Sequence, residues 1–213
     1  FINNKNVVQL ILLVFFFGCS NVIDENDLIE KSSLTYLKNS KTPFTGQING
    51  IYKNGNNRLI GQYKEGKKVG DWILFYDNGN EKEKGSYSDG EKDGVWLSYY
   101  KDGITNAKGN YIKGKKDGIW KYWHNSGVKE KEAQFLEGKQ NGKVLLWHLN
   151  GKEKSISMFS VGVLNGDYLE WDQNGNKISE GSYKSGKKWD GYFEDDHYIE
   201  GKKGSLYVEY NKN

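Results

Sequence analysis

Glycine returns every 24 residues along this chain. Gly46, Gly70, Gly94, Gly118, Gly142 and Gly166 form one column, and Gly66, Gly90, Gly114, Gly138, Gly162 and Gly186 a second. Gly55, Gly79, Gly103, Gly127, Gly151 and Gly175 form a third. Glycine makes up 27 of 213 residues, so composition alone cannot produce three unbroken columns at one step. A fixed period of this length means one small unit written repeatedly, each copy stabilised by its neighbours. The apolar content of 36% is too modest for a thick core, while 15% aromatic residues is too rich for a disordered chain.

The aromatics keep the same register. One column is Tyr63, Tyr87, Tyr111, Phe135, Phe159 and Tyr183, and another is Trp72, Trp96, Trp120, Val144, Tyr168 and Tyr192. A third is Phe75, Tyr99, Trp123, Trp147 and Trp171. Two turn signals fall in each unit. Asn-Gly or Asp-Gly at 54–55, 78–79, 102–103, 150–151 and 174–175 predicts a tight turn with both central residues at positive φ. GEKDG at 90–94 and GKKDG at 114–118 predict five-residue polar turns at the other end. Strand-like stretches such as DWILFYD at 71–77 run between them, and no segment keeps a helical period. Each unit therefore reads as a β-hairpin. The fold class is all-β, an elongated antiparallel meander of consecutive hairpins. With strands about 4.8 Å apart, six or seven hairpins give a thin sheet on the order of 60–70 Å long.

The first residue of each unit stays small: Gly61, Gly85, Gly109, Ala133, Ser157 and Gly181. It shares a face with the Tyr/Phe column two residues on, which predicts a neighbour's ring lying over bare backbone. Gly70, Gly94, Gly118, Gly142 and Gly166, with Trp72, Trp96 and Trp120, are read as structural residues of the repeat. The runs Glu81-Lys82-Glu83-Lys84 and Lys129-Glu130-Lys131-Glu132 read as a solvated second face. Trp96 and Tyr99 are three apart, so either a bulge realigns them or both faces carry rings.

The stretch GSYSDGEKDGVWLSYYKDG at 85–103 resembles the MORN repeat, and the 24-residue spacing with its Asn-Gly turn resembles the bacterial variant. The resemblance spans residues 37–193, leaving 194–213 as a C-terminal cap. It implies consecutive β-hairpins and a protein-binding or membrane-associated scaffold, not an enzyme. Bacterial variants are similar to proteins labelled antitoxin or immunity components. The alternative function so implied is neutralisation of a toxin partner.

Residues 7–17, VVQLILLVFFF, are too short to span a bilayer comfortably and fit the apolar core of an export signal. FFGCS at 16–20 resembles the lipobox of bacterial lipoproteins. That resemblance implies a signal peptide over 1–18, lipidation of Cys19, and a polar tether over 19–36. Ser20 in place of Asp leans, by the same resemblance, toward the outer membrane of a Gram-negative cell envelope. With one cysteine there is neither a disulfide framework nor a cysteine-based zinc site.

A net charge of +3 is not the footprint of a nucleic-acid binder. His124 and His148 fall in one column with Tyr76 and Tyr100. Equivalent positions lie about 9.6 Å apart and no third ligand recurs, so no metal is expected. Asp195-Asp196-His197 reads as a degenerate terminal turn. No nucleophile elbow or phosphate loop occurs, and neither catalytic residue nor cofactor is predicted. Phe75, Tyr99, Tyr100, Trp123, Trp147 and Trp171 remain as a candidate contact surface for an unknown protein or surface, with the membrane engaged through the lipid. Oligomeric state stays open.

Overall fold

The computed structural model describes residues 22–193 and 196–204. The expected leader and Cys19 lie outside them. First come β1 (Ile23–Asp24), a 3-10 turn (Glu25–Asp27) and the hairpin β2 (Leu28–Lys31) with β3 (Leu34–Leu37). The meander begins with β4 (Gly46–Ile51), β5 (Asn57–Lys64), β6 (Lys67–Phe75), β7 (Glu81–Ser88) and β8 (Glu91–Tyr99). It continues through β9 (Thr105–Ile112), β10 (Lys115–Trp123), β11 (Lys129–Leu136), β12 (Lys139–Trp147) and β13 (Glu153–Ser160). It ends with β14 (Val163–Trp171), β15 (Lys177–Lys184), β16 (Lys187–Phe193), β17 (Asp196–Ile199) and β18 (Lys202–Gly204). From β4 onward each strand pairs with the next, and β1 adds in parallel at the edge of β4 to give a sheet of 16 strands. The described residues contain no α-helix.

Much of the expected tether is folded. Ile23, Leu28 and Leu37 pack on a core cluster of Phe44, Ile48, Tyr63 and Trp72. Arg58 pairs with Glu25, and the Thr35 N–H donates to the Gly66 carbonyl at 2.9 Å. The physical reason is the open end of a stack: the first hairpin would otherwise face water with its apolar side. Its cover comes from a few apolar residues scattered through a polar stretch.

The two turns exchange the chemistry expected of them. Asp89 and Gly90 both have positive φ, 51° and 89°, and Ser88 pairs directly with Glu91. This is the two-residue primed turn, and it falls where a five-residue turn was predicted. Glu65-Gly66, Lys113-Gly114, Glu137-Gly138, Val161-Gly162 and Ser185-Gly186 repeat it. At the Asn-Gly end only the glycine is left-handed, as in Gly79 at 90°. There the Gly79 N–H donates to the Tyr76 carbonyl at 3.0 Å and the Tyr76 N–H to the Asn80 carbonyl at 2.8 Å. That is the longer loop built on a type I turn and a glycine bulge. The asparagine side chain then serves the neighbouring hairpin. Asn78 Nδ2 donates to the Lys101 carbonyl and Asn150 Nδ2 to that of Gln173, both at 2.8 Å.

Gly94, at φ 80°, lies inside β8 rather than in a turn. Lys84 pairs with Leu97 but Ser86 pairs with Asp93, so Gly85 alone faces the three residues Gly94, Val95 and Trp96. The bulge bends the strand and carries the Trp96 ring over Gly85.

Val161 holds a left-handed φ of 49°, which a β-branched residue tolerates poorly. It is 60% exposed, so little packing depends on it. Val161→Asn is expected to stabilise the protein by about 1 kcal/mol, read as a higher urea midpoint.

Candidate functional site

One face of the sheet is filled by rings. Phe44, Tyr63, Trp72, Tyr87, Trp96, Tyr111 and Trp120 follow one another in a file, with centroids 5.0 to 6.1 Å apart and mostly edge-to-face. Trp72 lies over Gly61, Trp96 over Gly85 and Trp120 over Gly109, where a Cβ would collide with the indole. The indole N–H of Trp96 donates to the Ser86 carbonyl at 3.0 Å, and that of Trp120 to the Asn110 carbonyl at 2.9 Å. Where the ring shrinks, the small residue grows: Val144 pairs with Ala133 and Tyr168 with Ser157. The last rung departs from the predicted column. Gly191 comes one residue late, so Phe193 turns inward at 2% exposure. Tyr192 is left outside and stacks on His197 at 4.4 Å.

Lysines lie along this ladder. Lys68 Nζ sits 4.7 Å from the Trp72 ring, Lys92 Nζ 3.7 Å from Trp96, and Lys116 Nζ 4.1 Å from Trp120. An ammonium over an indole face is favoured by the ring quadrupole. Burial pushes Lys68 and Lys116 below the ordinary lysine value. The same burial, with Glu83 nearby, pushes the Tyr87 phenol up to about 12. Unfolded, Tyr87 ionises near 10.0, so its contribution is whole below that pH and is lost as pH climbs through about 12. Tyr87→Phe is therefore expected to flatten the fall of stability across that window. Urea denaturation at a series of alkaline pH values checks this.

Phe75, Tyr99, Trp123, Trp147 and Trp171 stand half-buried on the opposite face. Both faces thus carry rings. No register shift separates Trp96 from Ser98, and the bulge that follows falls on the partner strand, at Asn106. The charged runs are not one solvated face either, because alternation divides them. Glu83 meets Lys92 on the ladder side, while Lys84 Nζ sits 5.5 Å from the Tyr99 ring on the other. Val95 and Ile119, 53% and 56% exposed, project beside the half-buried rings. With Lys108, Asn110, Lys121 and Trp123 they line a groove of about 410 Å³.

Tyr100 serves the scaffold. The hydroxyls of Tyr52, Tyr76 and Tyr100 donate to the carbonyls of Phe75, Tyr99 and Trp123, each at 2.8 Å. His148 takes the tyrosine's place, with Nε2 at 2.8 Å from the Trp171 carbonyl. Of the terminal acidic cluster, Asp196 pairs with Lys203 at 2.6 Å and His197 lies in β17. Sequence reasoning missed the ladder lysines because they sit inside the glycine-bounded stretches GKKVG at 66–70, GEKDG at 90–94 and GKKDG at 114–118. Their signal was that Lys68, Lys92 and Lys116 keep the 24-residue step.

Four stretches, residues 68–89, 92–113, 116–137 and 164–185, match the family described as the MORN repeat variant. This chain carries MORN repeats. The unmatched interval between the third and fourth stretches is where Val144 replaces tryptophan and Gln140 replaces the ladder lysine. The four matched hairpins are consistent with a repeat scaffold for binding. No curated protein matches the chain.

Proposed function

We propose that this protein is a non-catalytic MORN scaffold of a bacterial cell envelope, anchored by lipid on Cys19, that binds a macromolecular partner through the face opposite the ladder. The carrying observation is the groove at Val95, Ile119 and Trp123. Most of the ladder face is filled by its own rings, whereas Val95 and Ile119 are more than half exposed. Apolar side chains with a rim of Lys108 and Lys121 offer both desolvation and charge to a partner. The apolar run at 7–17 followed by Gly18-Cys19 supports the anchor.

A photo-crosslinking residue placed at Val95 or Ile119 tests the face. One dominant crosslinked species is expected from these sites, and none from a site such as Asn174 at the turn edge. Equal labelling from all sites, or none from the groove, contradicts the assignment. Cys19→Ser separately tests the anchor: the protein should leave the membrane fraction, and unchanged retention counts against lipidation.

A further inference from the structure

Positions that every unit shares are needed for stacking, so departures at equivalent positions are free for another duty. On the ladder face three such departures meet. The place of Glu83 holds Leu59, Ala107, Lys131 and Ser155 in other units. The place of Lys116 holds Lys68, Lys92, Gln140 and Leu164. The place of Tyr122 holds Leu74, Ser98, Leu146 and Glu170.

One unit supplies the template. Lys92, over the Trp96 ring, is ion-paired with the carboxylate of Glu83. A unit later Lys116 takes the same place over Trp120, but the counterpart of Glu83 is Ala107. Lys116 Nζ donates to the Tyr122 hydroxyl at 2.8 Å. Lys131 pairs across the strand with Tyr122 and holds its Nζ 6.0 Å from that ring. Two ammonium groups thus flank one tyrosine, and among the described residues neither is within ion-pair distance of a carboxylate. Space remains where the missing side chain would lie. A depression of about 210 Å³ is lined by Ala107, Tyr111, Lys116, Trp120, Tyr122 and the Lys92-paired Glu83, and Lys131 stands just outside it, across the strand from the Tyr122 wall.

We propose that this depression binds a carboxylate ligand, which pairs with Lys116 and Lys131 as Glu83 pairs with Lys92. Half-shielded ammonium groups without a counter-charge are costly, and an anion seated between them relieves that cost. Burial lowers the pKa of both lysines, and at Lys116 the neighbouring Lys131 adds to it. The tyrosine and indole walls suit a ligand with a small apolar body behind its carboxylate. The site lies on the face opposite the proposed docking groove and stands or falls independently of it.

Acetate and succinate, titrated against chloride at equal ionic strength, are the probes, with thermal midpoint as the readout. A saturable rise is expected. It should be lost in Lys116→Gln and in Lys131→Ser, residues that equivalent positions already hold as Gln140 and Ser155. Ala107→Glu should raise the midpoint without probe and abolish the response, because the carboxylate is then supplied from within. A measurement on the unsubstituted chain removes any dependence on how variants fold. Lysine acylation mapped by mass spectrometry should slow at Lys116 and Lys131 when succinate is present, and not at Lys108. A response no different from chloride overturns the proposal. So does a response that survives both lysine substitutions, or equal saturation by inorganic phosphate.

Discussion

Trp96→Ala is expected to destabilise the protein by about 3–5 kcal/mol. Trp96 is 1% exposed, lies over Gly85 on one side and pairs with Gly109 on the other. Its edges meet Tyr87 at 5.1 Å and Tyr111 at 6.1 Å. Truncation leaves a cavity that cannot easily collapse, because the flanking glycines have no side chains to move into it. The Ser86 carbonyl also loses its indole donor. In a stacked array each unit leans on its neighbours, so a lost central rung should also separate the melting of the two halves. Urea unfolding followed by tryptophan fluorescence and by circular dichroism should then give non-coincident curves. A loss below about 1 kcal/mol would be inconsistent with a ladder that holds the sheet together.

Gly109→Ala is expected to cost about 3 kcal/mol, although it adds a single methyl group. The new Cβ would fall inside the Trp120 ring. That ring is held at its nitrogen by the Asn110 carbonyl and at its edge by Tyr111, 5.0 Å away. It has nowhere to retreat. The chain itself contains the compensated pair, Ala133 beside Val144. Gly109→Ala combined with Trp120→Val should therefore be more stable than the sum of the two single changes. A denaturant double-mutant cycle measures that coupling, and simple additivity would mean that ring and glycine do not specify one another.

The hairpin meander was legible because three glycine columns and three aromatic columns keep one step. Turn chemistry was less so. Asn-Gly is compatible with two different turns, and the loop formed here also forms on Asp102-Gly103 and Ser126-Gly127, so the dipeptide does not choose between them. The N-terminal cover was hidden because Ile23, Leu28 and Leu37 have no period, yet they close the open end of the stack. One inserted residue before Gly191 was enough to exchange the roles of Tyr192 and Phe193. The candidate surface was readable only as a column. That Tyr100 is a strut while Tyr99 is half-exposed depends on the hydroxyl bond to the Trp123 carbonyl, which the spacing does not reveal.

The proposed function assigns one face to building the sheet and the opposite groove to a macromolecular partner, and the double variant Tyr99→Ala, Trp123→Ala tests that assignment most directly. Its unfolding should stay a single cooperative transition, with a cost of about 1–2 kcal/mol for two half-buried rings. Crosslinking from Val95 should disappear at the same time. A loss of stability as large as that of Trp96→Ala, or crosslinking that persists, would contradict it.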